Sequence, residues 1–104
     1  MKNIIDYLTI KSTINELVET GNDSLVDKLL DILNKNKIPK PEKHNREEDI
    51  ETNHYNIDLS KNQLNDIIDL LMDLEVESLT IDGESTPLTS HFSSLIDKWS
   101  TIKV

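Results

Sequence analysis

The 104-residue chain has no cysteine and no alanine, only two glycines, three prolines and four aromatic residues. Without cysteine there can be no disulfide, no thiolate nucleophile and no zinc site built on Cys ligands. The two glycines, Gly21 and Gly83, lie too far apart to form a phosphate-cradling loop. The serines near the C-terminal end, Ser90, Ser93, Ser94 and Ser100, lie in no G-x-S-x-G turn. No calcium loop of the D-x-[DN]-x-[DN]-G type is present. No apolar run approaches the ~20 residues that span a bilayer. Asp6 and Lys11 interrupt the apolar residues near Met1, so a signal-peptide core is not expected. A cytoplasmic protein is therefore expected, and the sequon Asn22-Asp23-Ser24 carries little meaning.

Positive charge is also scarce. Eleven basic residues face twenty acidic ones, for a net charge of −9, and Arg46 is the one arginine. Such a chain repels phosphate backbones and anionic lipid, so neither nucleic acid nor membrane is an expected partner. A basic or neutral protein is. The absence of alanine, with ten Asn and ten Lys, points to an AT-rich genome, bacterial or phage.

What is present is aliphatic. Leu, Ile, Val and Phe make up 32 of the 104 residues, enough to bury a core rather than stay disordered. At this length the core is thin, and the chain forms one domain or two very small units packed together.

Residues 1–38 place Ile4, Tyr7, Ile10, Ile14, Leu17 and Val18 at helical spacing, ending at Gly21 as a C-terminal cap. Thr13 and Glu16 form a possible capping box, which would break this helix near Lys11. A second helix starts at Asp23 or Ser24, presents Leu25, Leu29, Ile32 and Leu33, and stops before Pro39. Residues 39–53 hold two prolines, many charges and a single apolar residue, Ile50, which is the composition of a flexible linker. In residues 54–104, Tyr55, Ile57 and Leu59 alternate as in a strand. Ser60 and Gln63 then open a helix that runs to about Val76. Leu79 and Ile81 alternate again up to Gly83, and Thr86-Pro87 starts a last helix bearing Leu88, Phe92, Leu95, Ile96, Trp99 and Ile102. A helix between two strands favours a parallel, right-handed crossover.

The expected fold is therefore α+β and predominantly helical. It comprises an N-terminal αα-hairpin, a flexible linker and a small β-α-β-α unit, together one domain. An all-α four-helix bundle is the alternative. Ile57-Asp-Leu59-Ser-Lys-Asn62-Gln-Leu64 resembles the core of a leucine-rich repeat, and Leu79-x-Ile81 recurs at a repeat-like spacing. Glu84 and Thr86 stand where that family has Asn and Leu. The resemblance implies a strand followed by a helix and carries no function.

The helix opening at Ser60 is the most informative element. At about 100° per residue, Leu64, Ile67, Ile68, Leu71 and Leu74 share one face, and Asp66, Asp69, Asp73 and Glu77 gather on the opposite one. Asp69/Asp73 and Asp73/Glu77 are like-charge i,i+4 pairs, each costing a few tenths of a kcal/mol. Glu77 also sits near the negative end of the helix dipole. No Lys or Arg lies on this helix after Lys61, and residues 54–104 carry nine acidic and three basic residues. A solvated surface is the ordinary reading of such a face. A surface kept for a basic partner is the functional one.

These carboxylates share one environment, whereas acid–base catalysis needs two that split the pKa values, so no enzyme is expected. His44 and His54 flank the linker at a spacing that matches no zinc pattern, so neither a metal nor a cofactor is expected. His91 is expected half-buried, and Phe92 and Trp99 in the core. The expected role is a small acidic protein-binding module. It would neutralise or inhibit a basic partner through Asp66, Asp69, Asp73 and Glu77; toxin-immunity proteins, antitoxins and phage-encoded inhibitors are likewise small and often acidic, an analogy of charge and size and not of motif. The alternative is a structural or assembly adaptor that self-associates into a homo-oligomer through apolar helix faces.

Overall fold

Residues 3–38 and 53–103 are described by a computed structural model. In chain order the elements are β1 (Ile4–Asp6), α1 (Tyr7–Glu19), α2 (Asp23–Lys35), β2 (His54–Asn56), α3 (Lys61–Glu77) and α4 (Pro87–Trp99). The protein is predominantly helical, with one small two-stranded antiparallel sheet. The chain divides into two units, Met1–Asp58 and Leu59–Val104. The stretch expected to be a flexible linker lies outside the described residues, apart from Asn53.

The first unit opens as a strand where helical spacing was expected. Asp6 sets the boundary: its carboxylate accepts from Thr9 N at 3.3 Å and from Thr9 Oγ1 at 2.7 Å. That fixes it as the N-cap of α1 and leaves Ile4–Asp6 extended. β1 pairs with β2 in the register Ile4↔Asn56, Ile5↔Tyr55 and Asp6↔His54. The bonds Tyr7 N to Asn53 O (3.0 Å) and Ile57 N to Asn3 O (2.9 Å) extend the ladder at both ends. The other edge of β2 is also used. Ile38 N donates to His54 O at 2.9 Å, Asn56 N to Asn36 O at 3.0 Å, and Asn36 Nδ2 to Asn56 O at 2.9 Å. A two-stranded ribbon is marginal alone, and here β2 is bonded on both sides and lies beside α2.

The expected αα-hairpin is present. α1 runs unbroken past Lys11, because Thr13 spends its hydroxyl on Thr9 O at 2.8 Å, inside the helix, and caps nothing. The helix ends at Gly21, whose φ of +78° lets Asn22 N reach Leu17 O (2.9 Å) while Gly21 N reaches Val18 O (3.2 Å). These two bonds form a Schellman motif. Ile5, Ile10, Ile14, Leu17, Leu25, Leu29, Ile32, Tyr55 and Ile57 make up the apolar core of this unit.

The second unit is a helical hairpin. Ser60 and Gln63 form a reciprocal capping box at the start of α3, with Gln63 N to Ser60 Oγ at 3.1 Å and Ser60 N to Gln63 Oε1 at 2.9 Å. Thr86 caps α4, with Pro87 in the first turn, where its missing N–H costs nothing. Glu75 bonds Ser93, and Ser78 bonds Thr89, so residue numbers rise along α3 as they fall along α4: the helices are antiparallel. Leu59, Leu64, Ile67, Leu71, Phe92, Leu95, Trp99 and Ile102 are buried, while Ile68 and Leu74 are half-buried.

The hydroxyls at the turn end permit one proton order. Ser78 Oγ donates to Glu75 O at 2.6 Å and so accepts from Thr89 Oγ1 at 2.7 Å. Thr86 Oγ1 donates to Ser78 O at 2.9 Å. Thr89 Oγ1 in turn accepts from Thr86 N at 3.0 Å. Each hydroxyl spends its single proton on a defined partner.

The expected β-α-β-α unit does not form. Its first strand, His54–Asn56, pairs antiparallel with the N-terminal β1, so there is no parallel crossover. Its second, around Leu79 and Ile81, is a turn: Gly83 N donates to Thr80 O at 2.8 Å and Thr80 N to Glu84 O at 2.9 Å. Gly83 takes φ +81°, and among the described residues no non-glycine has positive φ, as in a type I turn closed by a left-handed glycine.

Two outcomes follow. Gly21→Ala meets no steric contact, so only left-handed backbone strain remains, and urea unfolding should show a loss of about 1–2 kcal/mol at unchanged m-value. Thr89→Val strands Thr86 N–H and should cost about 1–3 kcal/mol, whereas Thr89→Ser should recover most of it.

Candidate functional site

The apolar stripe of α3 fixes the direction of its charges. With Leu64, Ile67 and Leu71 buried, helical geometry turns Asp66, Asp69, Asp73 and Glu77 outward, and all four are exposed. The structure thus brings the four expected site residues onto one solvent-facing surface of one helix. Neighbours three and four apart have Cβ atoms about 5–6 Å apart, well inside the ~10 Å Debye length at 0.1 M salt.

The stretch of sequence that carries these charges is short of cations. The described ion pairs are Lys28–Asp58 at 3.9 Å and Lys35–Asp31 at 2.9 Å, and neither touches α3. Between Lys61 and Lys98 there is no Lys or Arg, while eight carboxylates fall in that stretch. Among the acids of α3, Glu75 bonds within the unit, to the hydroxyl of Ser93. It is half-buried, on the side facing α4.

Sequence reasoning missed part of this surface. Met72 and Val76 are 47% and 65% exposed. Around the helix the order runs Met72, Val76, Asp69, Asp73, Asp66, Glu77, so the face is an apolar edge merging into an acidic one. Ile81 is fully exposed at the turn, and Leu88, in the first turn of α4, is 58% exposed. The 100° rule applied to Met72 and Val76 would have found them on the outer side. Leu88 could not be found that way, since it lies on the same stripe as Phe92, Leu95 and Trp99.

The remaining candidates settle simply. His91 is exposed, not half-buried, with its ring 5.5 Å from that of Phe92. At about 100° per residue His91 falls roughly 70° to one side of the stripe of Phe92, Leu95 and Trp99, which leaves its ring in solvent. Phe92, Trp99 and Tyr55 are all buried. His54 is exposed on β2, and His44 lies outside the described residues. Among the described residues, no group of three His, Asp or Glu is placed to hold a metal ion, and no helix is long and apolar enough to cross a membrane. Asn53 is buried, and its Oδ1 has no hydrogen-bond partner among the described residues.

Compared with known proteins, the chain matches no family model, no curated protein and no solved structure. The site therefore rests on its own geometry.

Asp73 has like-charged i±4 neighbours on both sides. Asp73→Asn should raise the melting temperature slightly in low salt, and the gain should vanish near 1 M salt, where the Debye length is about 3 Å. A fall in melting temperature would show that the carboxylate serves the fold.

Proposed function

We propose that this protein is a small acidic binding module that neutralises or inhibits a basic partner protein through the outer face of α3, with Asp66, Asp69, Asp73 and Glu77 as its contact residues. One observation carries the reading. Four exposed carboxylates sit on one helix in a stretch of sequence with no Lys or Arg to balance them. Folding gains nothing from this arrangement, because like charges at i,i+4 destabilise a helix. A cationic surface would relieve the repulsion and be drawn to it over several ångströms of solvent. The role needs no catalysis, metal or cofactor, and its proposed setting is the cytoplasm. Nucleic acid and anionic membrane carry the wrong charge.

A second reading is a structural adaptor that self-associates, supported by Leu8, Val18 and Leu30, which are exposed on α1 and α2. Light scattering over a wide concentration range separates the two. A mass that stays monomeric removes the adaptor.

For the first reading the test is capture of the tagged protein's partner from lysate of its source, with low-salt and high-salt washes. A single stoichiometric basic protein should be retained at low salt and lost at high salt. The variant with Asp66, Asp69 and Asp73 changed to Asn and Glu77 to Gln should associate about tenfold more slowly or worse. Retention that ignores both salt and the four substitutions would overturn the acidic face as the working surface.

A further inference from the structure

The turn between α3 and α4 holds the sequence's one pair in which glycine follows Asp or Asn, Asp82-Gly83. Every other Asp and Asn is followed by a residue that carries a side chain. The difference is chemical. A backbone nitrogen can attack the carboxyl group of the Asp before it, and a side chain next to that nitrogen shields it. Glycine offers no shield.

The fold leaves this pair open on one count and closed on another. Asp82 and Gly83 are both exposed, and nothing lies within 4 Å of where a Cβ on Gly83 would stand. A ring has room to close there, and water has access to open it. The turn itself is tied, however. Gly83 N donates to Thr80 O at 2.8 Å, Thr80 N to Glu84 O at 2.9 Å and Glu84 N to Thr80 Oγ1 at 3.0 Å. The attacking nitrogen is therefore engaged until the turn opens. Opening a surface turn costs far less than unfolding the chain. The amides that follow Asp66, Asp69 and Asp73 lie inside α3, where the helical ladder holds them.

We propose that Asp82 is a site of spontaneous isomerisation to isoaspartate, gated by the bonds that Thr80 makes across the turn. The proposal is independent of the acidic-face reading above.

The step balances without any co-reactant but water. Gly83 N gives its proton to solvent and forms a bond to Asp82 Cγ. The Cγ–OH bond breaks and water leaves, which closes a succinimide through Asp82 C, Cα, Cβ and Cγ. Water then adds to either carbonyl carbon. Breaking the bond from Gly83 N to Cγ restores aspartate. Breaking the bond from Gly83 N to the original backbone carbon leaves the chain running through Cβ and Cγ, with the new carboxylate on Cα. Nothing is oxidised or reduced, and the mass and charge of the chain return to their starting values. The extra backbone atom lies between Thr80 and Glu84, so the three turn bonds lose their register.

The test is to hold the full chain in warm, mildly acidic buffer made with heavy-oxygen water. Hydrolysis of the ring places a solvent oxygen in the product, so the label counts passages through the succinimide. The peptide containing Asp82 should gain label and isoaspartate ahead of every other Asp peptide. Thr80→Val removes the acceptor of the Glu84 N bond at an exposed position. It should keep its helical circular dichroism and react about two- to tenfold faster, the effect of one lost hydrogen bond on the opening equilibrium. Thr80→Ser should stay near the original rate. The chain unfolded in urea should react at least as fast as Thr80→Val. Asp82→Glu, which keeps the charge but would need a six-membered ring, should lose the labelled product.

Label that appears first in other Asp peptides, or that survives Asp82→Glu unchanged, would overturn Asp82 as the site. Equal rates in the folded chain, in Thr80→Val and in urea would overturn the gate. Absence of isoaspartate at Asp82 even in urea would overturn the whole proposal.

Discussion

Burial of Leu64, Ile67 and Leu71 on one side of α3 decides where everything else on that helix goes. Each such side chain contributes about 1.5–3 kcal/mol when fully buried, against a few tenths for each like-charge pair opposite. Packing against α4 therefore wins by a wide margin, and the carboxylates must face solvent whatever that costs locally. Because the helical period ties the two faces together, the acidic surface cannot rotate away without exposing the core. The hydroxyls of Ser78, Thr86 and Thr89 add direction to this packing, since each has a single proton with a defined acceptor. They hold the turn end of the hairpin in one arrangement, where a purely apolar contact would tolerate sliding.

The first unit solves a different problem. Its helices pack as a hairpin, but its sheet is assembled from pieces far apart in sequence. β2 finds backbone partners on both sides, from residues 3–7 and residues 36–38. Neither edge segment is long enough to be stable alone. Asp6 serves both halves of this design, ending β1 and capping α1 within one residue.

Much of the local structure was legible because its causes are local. Gly21 as a helix stop, Ser60 with Gln63, Thr86 before Pro87, and the buried stripe ending at Trp99 each need only a few neighbouring residues to be recognised. The outward turn of Asp66, Asp69, Asp73 and Glu77 followed from the same periodicity. A strand at Tyr55 was legible, but its pairing was not. Ile57-x-Leu59 and Leu79-x-Ile81 look alike as patterns, yet the chain enters a strand just before the first and a turn at the second. What separates them is a partner strand, and two alternating residues say nothing about partners. Ile4 read as helix for the converse reason: it keeps helical spacing with Tyr7, and only the cap at Asp6 cuts it off. Leu88 stayed hidden because stripe position predicts burial only where a neighbouring element covers the stripe.

The bond from Ile38 N to His54 O holds two points of the chain 2.9 Å apart. Whatever the length of chain between them, its two ends meet at that bond, and the entropy of closing such a segment grows only with the logarithm of its length. Doubling it would cost about 0.6 kcal/mol. Added length between Ile38 and His54 therefore costs little in closure entropy. A reporter domain whose own termini lie close together could be spliced in there while both units keep their internal bonds.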